Sequence, residues 1–196
     1  MDFIVQEKLL QHDTMAALNG SSLNTLRLYT YRDLKKNVHF VDECAIVRIG
    51  GKGSIKDNVS AGGGFCALGI NGEISDRFLR EKSLEVRSLA DETGVRNAVV
   101  PNYVAAKKFV CGLHSRLPYF DWIGWDVAVN SEGEPVFIEF NVIPFIEGPQ
   151  MAHGPIFGKH LDEVMTRIKG CKTRYRLASE TTFVNGFRRI EGIVTW

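Results

Sequence analysis

Two carboxylates and an amide, Asp126, Glu139 and Asn141, have a spacing that could do chemistry. They lie in residues 124–144, where Gly-Trp-Asp-Val-Ala-Val-Asn and Pro-Val-Phe-Ile-Glu-Phe-Asn flank the polar turn Ser-Glu-Gly-Glu. Two apolar, β-branched runs around a short turn containing Gly form a β-hairpin signal. If Asn130 and Pro135 close the turn, Asp126 stands opposite Glu139, and the two-residue period puts Asn141 on the same face. Gly124, Ala128 and Phe137 share that face. Trp125, Val127, Val129, Val136, Ile138 and Phe140 form the other, which is expected to pack on a core. Like charges facing each other across a sheet repel. A solvated face would tolerate them as incidental acids. A divalent cation would remove the penalty, and a set of oxygen donors suits Mg²⁺.

The elements that must hold this hairpin can be read along the chain. Residues 3–6 (Phe-Ile-Val-Gln) look like a buried strand, so structure is expected almost from Met1, which suggests that the chain is part of something larger. Residues 7–18 read as turn or short helix, with His12 as a surface or packing histidine. Residues 24–32 alternate as a strand, with Leu26, Leu28 and Thr30 on one face and Arg27, Tyr29 and Tyr31 on the other. Residues 38–49 read as a second strand region that places Cys44, Ile46 and Arg48 together. An arginine on a mostly apolar strand calls for an anionic partner.

Glycine-rich stretches follow. Gly50-Gly51-Lys52-Gly53-Ser54 does not fit the Gly-x4-Gly-Lys-Ser/Thr phosphate loop and reads as a hairpin loop. Gly62-Gly63-Gly64 could bring main-chain N–H groups close to an anion, or could simply be a loose loop. Residues 65–70 read as a short strand, and residues 73–99 carry no firm pattern. In residues 101–117, Ala106, Phe109, Val110, Leu113 and Leu117 make a helical core stripe, with Lys107, Lys108 and His114 expected in solvent. Residues 144–158 read as a Gly- and Pro-rich loop. A second helical pattern runs from Phe157 through Ile168 to a stop at Gly170, and residues 171–196 read as a frayed or short-strand tail.

Composition narrows the function classes. The 196 residues carry 24 basic and 23 acidic side chains, a formal charge of +1. Such a balance gives no sign of nucleic acid or an acidic membrane as partner. No apolar run approaches the roughly 20 residues of a membrane span. The four scattered cysteines read as reduced thiols of a cytoplasmic protein.

Several motifs, in order, resemble the ATP-grasp ligases. Gly-Trp-Asp-Val-Ala-Val, the step from Asp126 to Glu139, and Glu-Phe-Asn followed by Pro144 are similar to the magnesium hairpin of that family. Val5-Gln6-Glu7 resembles its adenine hinge. Asn24-Thr25-Leu26-Arg27, Arg48-Ile49-Gly50, Asp57-Asn58 and Gly62-Gly63 resemble pieces of the sugar-transfer-associated subgroup, with likeness to the glutamate-ligase-like branch. The resemblance covers residues 3 to 168. It implies an α+β fold, a mainly antiparallel sheet packed with helices. Residues 1–170 would be a partial catalytic domain from the hinge onward, with 171–196 as a tail.

It also implies the ligands and their holders. ATP would be the cosubstrate, with Mg²⁺ or Mn²⁺ held by Asp126, Glu139 and Asn141. Gln6, Glu7, Arg27 and Arg48 would contact nucleotide, and Arg48 and Asn58 would serve the transferring phosphoryl group. A small carboxylate would be activated as an acylphosphate and passed to an amine or related acceptor, with polysaccharide biosynthesis as the setting that the subgroup implies. Family members carry about as much chain again before the hinge, so a missing N-terminal half or partner subunit is expected. A non-catalytic interaction module and an ATP-dependent phosphotransferase acting on a hydroxyl are the alternatives.

Overall fold

In the computed structural model, the described residues are 7–51, 63–80 and 85–170, together with the backbone of 183–184 and 187–188. The chain divides into two compact units, Met1–His160 and Leu161–Trp196.

The first unit opens with the short helix α1 (Asp13–Leu18), where the His12 ring accepts a hydrogen bond from the Thr14 N–H at 3.1 Å and so caps the helix. Strands β1 (Thr25–Arg32), β2 (Val38–Phe40), β3 (Ile46–Ile49), β4 (Gly64–Ala67), β5 (Arg77–Leu79) and β6 (Val86–Ser88) follow. Next come helices α2 (Leu89–Thr93) and α3 (Tyr103–Ser115), then strands β7 (Trp122–Val129) and β8 (Pro135–Asn141), and helix α4 (Glu147–His153). The strands form one antiparallel sheet in the order β6-β5-β4-β3-β1-β7-β8, with β2 also on β1. The α+β expectation holds.

β1 is the centre of this arrangement, because its eight residues alternate cleanly and are buried on both faces. Leu26 and Leu28 point into the main core with Val47, Cys66, Phe78, Val110, Ile123 and Trp125. Helix α3 closes that face with Tyr103, Ala106, Val110 and His114, all buried. Phe109, Leu113 and Leu117 pack against it, as the periodicity predicts.

The fold departs from several local expectations. Residues 38–49 are not one strand: a 3₁₀ turn at Asp42–Cys44 separates β2 from β3, which pair with opposite ends of β1. Cys44 lies in that turn, where its thiol donates to the Ile156 carbonyl. His114 is fully buried, because positions 103, 106, 110 and 114 recur at helical spacing on one face. Lys107 is also not simply solvated. Its ammonium pairs with Asp42 and lies over the Phe40 and Tyr103 rings.

In residues 144–158 the expected loop contains α4, and Phe157 is outside any helix, its ring 5.3 Å from that of Trp122. The second unit holds helix α5 (Leu161–Gly170) and a two-stranded pair, β9 (Phe183–Val184) with β10 (Phe187–Arg188). The unpatterned residues 73–99 contain β5, β6 and α2, elements too short to leave a period in sequence.

Candidate functional site

Residues directly paired across a sheet share a face. On β1 that rule sets Arg27 opposite Asp126, Tyr29 opposite Gly124 and Tyr31 opposite Trp122. Thr25, on the same side of β1, pairs with Arg48 of β3. Across the other edge of β7, Asp126 pairs with Glu139 and Gly124 with Asn141. Arg27, Arg48, Asp126, Glu139 and Asn141 therefore converge on one face from four strands.

The expected pairing of Asp126 with Glu139 is present, but the hairpin reaches it by another route. The turn closes one step tighter, with the Asn130 N–H donating to the Glu134 carbonyl at 3.0 Å and Val129 opposite Pro135. Gly133 takes φ +82° in this turn, a conformation that favours glycine. The tighter turn sets Val127 opposite Phe137, and a bulge at Ile138 then restores the register at Glu139. Phe137 accordingly joins the Trp125 face, with ring centroids 6.4 Å apart, and not the acid face. β8 is the sheet edge, so Phe137, Ile138 and Phe140 remain about two-fifths exposed. The apolar face thus packs on the core along β7 but not along β8.

Asp126 is 2% exposed, and its charge is already matched. Arg27 grips both carboxylate oxygens, Nε on Oδ1 and Nη2 on Oδ2 at 2.8 Å, while Arg48 Nη1 donates to Oδ2 at 3.0 Å. Burial works against the Arg27 charge, but its hydrogen bonds and attraction to Asp126 outweigh that and raise its pKa. Two guanidinium groups on one carboxylate leave the floor of the site with an excess of positive charge, which suits an anion. Glu139 is exposed at the rim and accepts from the Asn141 amide at 3.3 Å.

One side of this face is covered by the chain that follows β8. A Cβ on Gly124 would fall 2.5 Å from Pro144 Cβ, so glycine is needed for Pro144 to fold back over β7. The Tyr29 hydroxyl donates to the Phe145 carbonyl, and burial pushes its pKa up. Met151 and Ala152 of α4 pack on Ile46, Phe65 and Leu79.

The expected nucleotide and phosphoryl contacts divide. Arg27 and Arg48 meet on Asp126. Glu7 lines a cleft of about 690 Å³ with Val136, Phe137 and Ile138, on the strand that carries Glu139. Gln6, Asn58 and Gly62 lie outside the described residues. Gly63 and Gly64 have packing reasons to be glycine, since a Cβ would fall 2.4 Å from the Ile49 carbonyl oxygen or from the Phe78 ring. The pairing of Arg27 with Asp126 is not among the sequence expectations. Its signal is parity, for Arg27 sits on the strand face that also carries Tyr29 and Tyr31.

As a donor set for a divalent cation, Asp126, Glu139 and Asn141 fit in kind: two carboxylates facing across a sheet and an amide beside them, all offering oxygen. Among the described residues no group of three or more His, Cys, Asp or Glu side chains is placed to hold a metal ion.

A mainly antiparallel α+β sheet with an arginine- and acid-bearing face is consistent with an ATP-grasp domain. The family model described as sugar-transfer associated ATP-grasp matches residues 1–166, and the chain belongs to that family. The match supports an ATP-binding, ligase-like protein. No curated protein matches the chain. Among the described residues no helix is long and apolar enough to cross a membrane.

Proposed function

We propose that the protein serves an ATP-dependent ligase reaction in which a small carboxylate is activated as an acylphosphate. The observation that carries the proposal is the convergence of Arg27, Arg48, Asp126 and Glu139 on one sheet face from four strands. In the first step the carboxylate oxygen attacks the γ-phosphorus and the bond to ADP breaks. An amine or related nucleophile then attacks the carbonyl carbon and phosphate leaves. Little covalent work falls to the protein, whose task is to neutralise charge and hold geometry.

Arg48 and Arg27 would do the first by donating to phosphate oxygens from a floor that is mostly closed to water. Asn58 would assist at the transferring group. Glu7 would bind the adenine or ribose end in the cleft against Ile138, and Gln6 would add a contact to the same end of the nucleotide. Asp126, Glu139 and Asn141 would hold Mg²⁺ or Mn²⁺, which when bound would supply charge neutralisation for the phosphates. Polysaccharide assembly is the process that the subgroup name suggests.

The test is thermal stability with Mg²⁺ and ATP, followed by ADP release with candidate acids and alcohols. A ligand held at 100 times its Kd stabilises by about 2.7 kcal/mol. For a chain of this size that is a shift of about 5–10 °C. ADP release dependent on acids supports the ligase reading. Release dependent only on alcohols assigns a phosphotransferase instead.

A further inference from the structure

Asp126 is needed by two sets of partners that cannot both have it. Its two oxygens accept from Arg27 Nε, Arg27 Nη2 and Arg48 Nη1, and its side chain is 4% exposed. Both arginine side chains are themselves largely covered, at 13% and 15% exposed, so their charges are poorly screened by solvent. A dication approaching that carboxylate meets two fixed positive charges at contact distance. Glu139, exposed at the rim, and the half-buried Asn141 face no arginine in the sheet register.

We infer that Arg27 and Arg48 form an exchange pair that keeps the cation away from Asp126 until a polyphosphate arrives to take the arginines. The anion offers the guanidinium groups more charge than one carboxylate does. As they turn to it, Asp126 is released to join Glu139 and Asn141, and these three would then hold the cation. Cation and polyphosphate then bind as one event. By linkage, each raises the affinity of the other by the same factor. The inference rests on the proposed nucleotide site, and it assigns Arg27 and Arg48 a positioning role additional to phosphate contact.

The experiment uses the whole chain and Mn²⁺, with free Mn²⁺ read from its EPR signal in the absence of nucleotide. The wild type should bind Mn²⁺ only in the millimolar range or more weakly. Arg48→Gln, which retains the two-pronged Arg27 grip and the fold, should bind at least tenfold more tightly. The gain should vanish in Arg48→Gln/Asp126→Asn. Should Arg48→Gln not fold, Arg27→Lys, which keeps the charge but loses the two-pronged geometry, should show a smaller gain of the same sign. Nucleotide-free binding that is equally tight in wild type and Arg48→Gln overturns the exchange, and so does a gain that survives Asp126→Asn. A parallel melt with Mn²⁺ and the imido analogue of ATP tests the proposed function separately. Failure in that arm alone removes the nucleotide site, whereas failure in the Mn²⁺-only arm alone removes the exchange and leaves the site.

Discussion

Asp126 and Glu139 are the same chemistry in opposite surroundings. They face each other across one hairpin, yet Asp126 is sealed beneath two arginines and Glu139 stands at an open sheet edge. The difference comes from strand position. β7 has neighbours on both sides and layers on both faces, so a charge there survives only if paired. β8 has one neighbour, so a charge there keeps its water. One acid is therefore part of the fold as well as the candidate site, and the other belongs to the candidate site alone.

The sharpest break of this comparison is Asp126→Ala. It leaves two largely buried guanidinium groups facing each other, and unfolding measurements should show a loss of about 3–5 kcal/mol. A loss no larger than that of a surface substitution would show that the arginines find other partners at little cost. Next comes Gly124→Ala, whose new methyl would meet Pro144 at 2.5 Å. Lifting the 144–145 segment should cost about 1–3 kcal/mol and loosen the Tyr29 contact to Phe145. Equal stability to the wild type would mean that Pro144 is not seated on β7.

A smaller effect should come with pH. The Trp125 indole donates to the Thr30 hydroxyl, which contacts His114 Nδ1 at 2.6 Å, while Nε2 reaches the Phe120 carbonyl at 3.0 Å. A carbonyl only accepts, so Nε2 carries the proton and Nδ1 accepts from Thr30. Burial lowers the His114 pKa most, with nearby Arg32 acting in the same direction and the Phe120 carbonyl and Asp121 opposing. The folded state thus binds this proton less readily than the unfolded one. Its contribution to stability is full above the ordinary histidine pKa of 6.5 and falls as pH drops from there through the lowered folded value. Urea melts of wild type and His114→Gln between pH 5 and 8, on the order of the histidine titration range, should differ in slope; parallel slopes would remove His114 as the cause. The smallest effect on stability should be that of Glu139→Ala, within about 0.5 kcal/mol, because the side chain is solvated.

Much of this arrangement was legible in the sequence because alternation is local. The β1 faces, the α3 stripe and the shared face of Glu139 and Asn141 all follow from periods of 2 or 3.6. The details that decide the chemistry are not local. The Ile138 bulge compensates a turn one step shorter than counted, and two errors of opposite sign left Asp126 facing Glu139 while moving Phe137 to the other face. Arg48 could be read as wanting an anion, but that this anion is Asp126 depends on β1 lying between β3 and β7. In sequence the facing acids call for a cation; the fold already relieves one of them with arginine. The exposed apolar side of β8 was also illegible, since edge and centre strands share a pattern.

The most direct measurement of the central claim is the melting temperature of wild type and Glu139→Ala, each with and without Mg²⁺ and the imido analogue of ATP. Glu139→Ala tests the site without disturbing the floor beneath it. The account predicts matching melting temperatures without ligand, a rise of several degrees with ligand in the wild type, and little or no rise in Glu139→Ala. An equal rise in both proteins would contradict the placement of the cation between Asp126 and Glu139.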